Sequence, residues 1–204
     1  MMDRLYLSYW LRGYTAFAMT RSLEAVIRRF PFSRLLPDVL LRVQAVDAAE
    51  PPLLERRFGG ALDLEALLLA VREYHHSDCA YELESFWDLW QIETESAQWK
   101  LAPARVLLIG YGPEFPSELG EQVRIEFGPE AQFLPPPKLS DNLAPVRHNI
   151  RALLHLVEDL DGALTVEKRL LWSESGANFA ARLAEALDDA VTPERPESGR
   201  PRRP

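Results

Sequence analysis

A chain of 204 residues with 47% apolar side chains is long enough to bury a large core. Its formal net charge of −8 argues against general binding to nucleic acids or anionic membranes, because both need a cationic protein surface. Cys79 is the one cysteine, so an intrachain disulfide and a zinc site built from cysteines are excluded. The apolar runs are too short for a membrane span and the N-terminus lacks the layout of a signal peptide, so we expect a soluble cytoplasmic protein.

The first part of the chain alternates strands and helices. Alternating apolar residues predict strands over Leu5–Arg12 and Val39–Asp47, and helical spacing predicts a helix between them that Pro31 ends. A short extended segment, Leu53–Phe58, precedes a helix with Asp63 at its N-cap. Together with the strand that follows, this order resembles the ferredoxin-like split βαβ unit, a likeness of element order that carries no functional inference.

The segment Asp78–Trp90 has the most informative pattern in the chain. Read at the two-residue period of a strand, its odd-numbered apolar side chains fall on one face and its acids and remaining aromatics on the other. The second face consists of Glu82, Glu84, Phe86, Asp88 and Trp90. We therefore predict that the odd-numbered residues turn toward the core and that this acid-aromatic face is available for binding.

Three further extended segments follow, separated by turns rich in glycine and proline. They are Ala104–Tyr111, Gln122–Phe127 and Gln132–Leu134, and they predict a β-meander that extends the sheet. In the second of them, Arg124 and Glu126 alternate with apolar residues, which indicates a half-exposed strand.

The C-terminal part is predicted to be mostly helical. Helical spacing is strong over Leu143–Leu160 and recurs over Phe179–Leu187, whereas Leu164–Trp172 is compatible with a strand or a helix. Residues 191–204 are rich in proline and arginine and are expected to be disordered. We predict a single α+β domain over residues 1–190, with a mixed, mostly antiparallel sheet, a ferredoxin-like N-terminal order and C-terminal helices.

The acid-aromatic face admits two kinds of chemistry. The Cα atoms of Glu82 and Glu84 would lie about 6.5–7 Å apart, which overlaps the spacing of paired carboxylates in glycoside hydrolysis. Phe86 and Trp90 beside them could stack on a sugar or contact a cation. The alternative is an ordinary exposed sheet surface, or a face covered by a helix whose arginines pair with the acids.

Secondary candidates lie outside that face. His75 and His76 stand at the junction of a helix and a strand, but the spacing matches no known metal site and Cys79 beside them is expected to be buried and inert. Arg151 lies between two histidines on one polar helix stripe, where those histidines are too far apart to share a zinc ion. We therefore predict no metal site and no cofactor.

These observations favour a cytoplasmic binding or regulatory protein over an enzyme. Its partner would be another protein or a second copy of itself, engaged through the acid-aromatic face, with no role for nucleic acid or membrane. A homodimer would follow if the basic N-terminal residues met residues 61–140 of a second copy, which carry a net charge of −9. Those basic residues are Arg21, Arg28, Arg29 and Arg34. The alternative is a small hydrolase-type enzyme that uses the paired carboxylates on a polar small-molecule substrate.

Overall fold

The structure is a computed structural model that describes residues 3–46, 51–93, 96, 98–134, 144–174, 179 and 181–183. Within these ranges seven strands form one open sheet, accompanied by three continuous α-helices, a short 3₁₀ helix, Glu130–Gln132, and helical residues at 179 and 181–183. The strands are β1 (Arg4–Leu11), β2 (Val39–Ala45), β3 (Leu54–Phe58), β4 (Cys79–Ile92), β5 (Trp99–Tyr111), β6 (Val123–Pro129) and β7 (Val166–Ser173). The helices are α1 (Ala16–Arg29), α2 (Leu64–Glu73) and α3 (Ala144–Ala163).

The predicted α+β class is confirmed, and each strand pairing is antiparallel. The strand order is β3-β2-β4-β5-β6-β1-β7. The ferredoxin-like arrangement is not confirmed, because β4, β5 and β6 separate β1 from β2 in space although the order along the chain is as predicted. The consecutive pairing of β4, β5 and β6 is the predicted meander.

Two predicted segments of the second half take a definite form. The third extended segment, Gln132–Leu134, is not a strand, because Gln132 ends the 3₁₀ helix. The ambiguous segment Leu164–Trp172 forms β7 and pairs with β1 at the edge of the sheet. Phe179 is helical, whereas Leu187 and residues 191–204 lie outside the described residues.

No helix in the described ranges has the length and apolarity to cross a bilayer.

Local signals determine where the first two helices begin and end. The Thr15 side chain accepts a hydrogen bond from the Ala18 N–H at the start of α1, and Pro31 follows its end. The Asp63 carboxylate accepts from the Ala66 N–H at 3.0 Å, as the N-cap prediction requires. The apolar positions between these ends then face the sheet.

All three α-helices pack on the same face of the sheet, which we call the covered face. One continuous core joins their buried side chains to inward-facing residues of β1, β2, β4, β5 and β6. Trp87 of β4 lies inside it, with the rings of Phe30, Phe127 and Phe133 at centroid distances of 5.9, 5.9 and 6.3 Å. The predicted inward turn of the odd-numbered β4 residues is therefore confirmed.

No helix of the described ranges packs on the opposite face, which we call the uncovered face. The loop between β5 and β6 folds over one end of it, where Phe115 stacks on Tyr111 and Glu121 pairs with the buried Arg124. The loop begins at Gly112, where a Cβ would lie 2.2 Å from the carbonyl oxygen of Ser77. Only glycine permits that close approach, so this glycine-rich segment is a turn, held by the Gly112 N–H bond to Cys79.

Candidate functional site

The five residues of the predicted acid-aromatic face all lie on the uncovered face. Each is partly exposed, whereas the residues between them are buried. Each also has a cross-strand neighbour on β5. These pairs, which we call the β4–β5 ladder, are Glu82–Ile109, Glu84–Leu107, Phe86–Arg105, Asp88–Pro103 and Trp90–Leu101. Side chains paired in this way lie side by side, so the ladder runs from two carboxylates at one end to two large apolar residues at the other.

Glu84 lies between two arginines of neighbouring strands. Its Oε1 accepts a hydrogen bond from Nε of Arg105 at 2.9 Å, and its Oε2 lies 3.4 Å from Nη1 of Arg42. Arg42 also donates to Glu55 of the edge strand at 2.8 Å. The hydrogen bond from Arg105 lowers the pKa of Glu84, so this carboxylate stays ionised and its charge is neutralised within the sheet.

Glu82 has a different environment although it is two residues away. Within the described part of the chain it makes no hydrogen bond and no ion pair, and burial raises its pKa against the opposing charge of Arg42. Carboxylates whose pKa values are shifted in opposite directions suit acid–base chemistry. Neither of them lines the groove of about 340 Å³ that lies beside Arg105, so the hydrolase-type alternative stays a prediction.

Asp88 organises the loop between α1 and β2. Its carboxylate accepts hydrogen bonds from the Ser33 hydroxyl and from the N–H groups of Arg34 (2.8 Å) and Leu35 (3.3 Å). The Ser33 oxygen in turn accepts from the Leu36 N–H. Asp88 is thereby engaged within the fold, and it holds the segment that carries two exposed leucines, Leu35 and Leu36.

The apolar end of the ladder is held in place by α3. The fully buried Asn149 accepts from the Trp90 N–H at 2.9 Å and donates to the Trp90 carbonyl at 2.8 Å, as a paired strand would. Its amide also donates to the carbonyl of Gln132. Asn149 is a polar residue at a position where the helical spacing of α3 places apolar, buried side chains. A polar residue at a core position was the signal in the sequence that could have identified it.

A second aromatic group lies at the opposite edge of the same face. Tyr6 stacks on Trp172 at 4.4 Å and donates its hydroxyl to Glu174 at 2.7 Å. Burial, together with that hydrogen bond, raises the pKa of Tyr6 to about 12. Trp10, in contact with Lys168, completes the group. β5 and β6 separate these aromatics from Phe86 and Trp90, so the uncovered face has two aromatic regions.

The secondary candidates lie elsewhere. His75 is hydrogen-bonded to the Thr20 hydroxyl at 2.7 Å, and the His76 N–H donates to Tyr81. Burial raises the pKa of Cys79 to about 11, which disfavours the thiolate. Arg151 is exposed on α3, on the covered side. No contact joins His75, His76 or Arg151 to the ladder, and no three metal-ligating side chains come together among the described residues.

The charged partners on β2, β5 and β6 were not identified from the sequence as site residues. Arg42 and Arg105 bind Glu84, and Glu126 lies one strand beyond Leu107 on the same face. The alternation of Arg124 and Glu126 along β6 was the available signal for that strand. It indicated the exposed side but not which residues of other strands lie opposite, because register is a long-range property.

Comparisons of the sequence with family models and curated proteins, and of the fold with solved structures, found no significant match.

Proposed function

We propose that the protein is a binding or regulatory protein that associates with a protein partner through the uncovered face, and that a second copy of the chain is that partner. The observation that carries this proposal is a seven-stranded sheet that, among the residues the structure describes, has helices on one face only. A sheet usually buries at least one face against another layer, and the other face is then free to be polar. Here that second face keeps Trp90 and Leu101 partly exposed.

The size of the uncovered face suits an interface between proteins. Neighbouring strands lie about 4.8 Å apart, so seven strands span about 29 Å, and a strand of seven or eight residues is about 25 Å long. The outline of the sheet therefore measures about 700 Å², of which the loop between β5 and β6 covers one end, so the free part is somewhat smaller than the roughly 800 Å² that each partner contributes to a standard interface.

The composition of the ladder supports a closed, two-fold contact. Phe86 and Trp90 are aromatic residues, a class that is enriched at interfaces, and Leu101 adds apolar surface beside Trp90. Glu82 has no partner in the described part of the chain, while Arg105 donates only its Nε, to Glu84. In a face-to-face arrangement Glu82 of one copy can pair with Arg105 of the other, and the two-fold axis repeats that pair.

A contact between the basic helix α1 and the acidic face fits the structure less well. Arg28 is bound to Glu65 at 2.8 Å, and the guanidinium of Arg21 lies over the ring of Phe17. Because α1 lies on the covered side, joining it to the uncovered face of a second copy gives a head-to-tail contact. Repeating such a contact builds open filaments, unless the rotation between neighbouring copies closes a ring.

A matched pair of leucine variants tests the proposal by sedimentation velocity over a range of protein concentrations. Leu101 on the uncovered face is 38% exposed and Leu154 on α3 is 40% exposed, so a charge at either position should leave the fold intact. We expect the wild type to form a dimer, Leu101→Glu to dissociate it, and Leu154→Glu to leave it unchanged.

Two outcomes would overturn the proposal. One is a wild-type chain that sediments as a monomer at every concentration. The other is equal dissociation by both variants, since that would place the contact outside the uncovered face. Circular dichroism of each variant verifies that the monomer is folded.

A further inference from the structure

Three strands lose their regular pairing at one corner of the uncovered face. The β5–β6 ladder ends at the pair Leu107–Glu126, and the β1–β6 register shifts between Arg4 and Tyr6. The chain of β6 turns at Gly128, whose φ of 79° favours glycine. The strands separate there and leave a groove of about 340 Å³, a volume at the lower end of the range for small-molecule sites.

Two arginines from different strands line this groove. The side chain of Arg4 is 58% exposed and that of Arg105 is 62% exposed. Arg4 reaches Glu126 only at 3.9 Å, and Arg105 uses Nε alone for Glu84. Since a guanidinium carries five N–H donors, both arginines keep donors for a further acceptor. Their planar fork matches the oxygens of a carboxylate or a phosphate.

A third polar group lines the groove at the 3₁₀ helix. The backbone carbonyl of Gln132 accepts from Asn149, but its side-chain oxygen Oε1 is buried without a hydrogen-bond partner. An unsatisfied buried acceptor is unfavourable until a donor reaches it. A ligand hydroxyl can supply that donor once the Gln132 side chain turns toward the groove, because the oxygen is closed to solvent in this fold.

We propose that this corner binds a small organic anion, whose phosphate or carboxylate group is held by Arg4 and Arg105 and whose neighbouring hydroxyl donates to Gln132. The apolar Leu107 and the backbone of Gly128 border the same groove and can pack against the carbon skeleton. Because Arg105 is also the proposed partner of Glu82 across the dimer, an anion bound here would compete with that contact and weaken association.

Glu126 gives the site a distinctive dependence on charge. It lies in the groove beside Arg4, with Arg124 of its own strand and Glu82 of β4 also acting on it. Its negative charge opposes the ligand anion while it helps to orient Arg4. Removing the charge should therefore have the opposite effect to removing an arginine.

The test is an NMR titration of the full-length chain, read at the backbone amide of Gly128 and the side-chain amide of Gln132. Glycerol 3-phosphate and glycerate present the two anionic groups beside a hydroxyl, and glycerol is the uncharged control. We expect saturable shifts with at least one anion and none with glycerol. If only one of the two anions gives saturable shifts, the site prefers its phosphate or its carboxylate group. If both do, the site accepts either group.

Three variants complete the test. Arg4→Gln should weaken binding about tenfold, and Glu126→Gln should strengthen it severalfold. Arg57→Gln is the matched control, because Arg57 is 66% exposed on the distant edge strand β3 and pairs with Asp38. Equal weakening by Arg57→Gln, or no saturable shift with either anion, would overturn the proposal. Sedimentation measures association of the chain, and the NMR shifts measure anion binding. The proposed dimer and the proposed anion site can therefore fail independently of each other.

Discussion

Trp87 and Trp90 stand three residues apart on β4 and meet opposite environments. Trp87 is buried among three aromatic rings on the covered face, whereas Trp90 is partly exposed beside Leu101 on the uncovered face. One alternating strand thus supplies the core with one set of side chains and the surface with the other. The difference indicates that substitutions on the two faces should separate folding stability from association.

The largest expected effect comes from the pair of tryptophans. Trp87→Ala should lower the free energy of unfolding by about 3–5 kcal/mol, because it removes a large side chain from a packed core. Trp90→Ala should lower it by less, about 1–2 kcal/mol, because that side chain is only partly buried. Urea denaturation of the two variants measures both values. Equal losses would contradict the division between the faces.

Asn149 connects the two faces, and its removal should have an intermediate effect. Asn149→Ala leaves the Trp90 N–H and the carbonyls of Trp90 and Gln132 without their partner, which should cost about 1–3 kcal/mol. Gln91→Ala is the control, since it removes one partly exposed hydrogen bond to Ala102 of the same hairpin. Denaturation should show a smaller loss for Gln91→Ala. A larger loss there would refute the role given to Asn149.

The two glutamates of the ladder should give the smallest effects, with opposite signs. Glu84→Gln should destabilise the protein at neutral pH by less than about 1 kcal/mol, because it removes a screened ion pair with Arg105. Glu82→Gln should be neutral or slightly stabilising, because it removes a half-buried carboxylate that has no partner among the described residues. A destabilising Glu82→Gln would show that this carboxylate has a favourable partner.

The same two glutamates predict how stability depends on pH. The folded-state pKa of Glu84 is lowered, so its contribution is present above the ordinary value of 4.5 and is lost as the pH falls through the lowered pKa. The pKa of Glu82 is raised, so its penalty is absent below 4.5 and develops as the pH rises through the raised pKa. Chemical denaturation at acidic and at neutral pH measures both effects. Glu84→Gln should reduce the loss of unfolding free energy on acidification, and Glu82→Gln should remove the loss of unfolding free energy that the charged Glu82 causes at neutral pH.

Local sequence patterns predicted most of the helices and strands, but they did not predict which strands pair with each other. The two-residue period placed Glu82 and Trp87 on opposite faces, and Asp63 marked the start of α2, because these features depend on neighbouring residues. The pairing of β1 with β6 and β7 joins segments more than a hundred residues apart, and no local pattern contains it. The partners of Glu84 were missed for the same reason, since the register of β2 and β5 against β4 determines them.

Side-chain footprinting with hydroxyl radicals at low and high protein concentration shows whether the uncovered face is the binding surface. We predict that Trp90 and Leu101 become protected as the concentration rises, while Phe17 of α1 and Leu69 of α2, both exposed on the helix side, react at an unchanged rate. Protection of Phe17 and Leu69 with no change at Trp90 and Leu101 would contradict it.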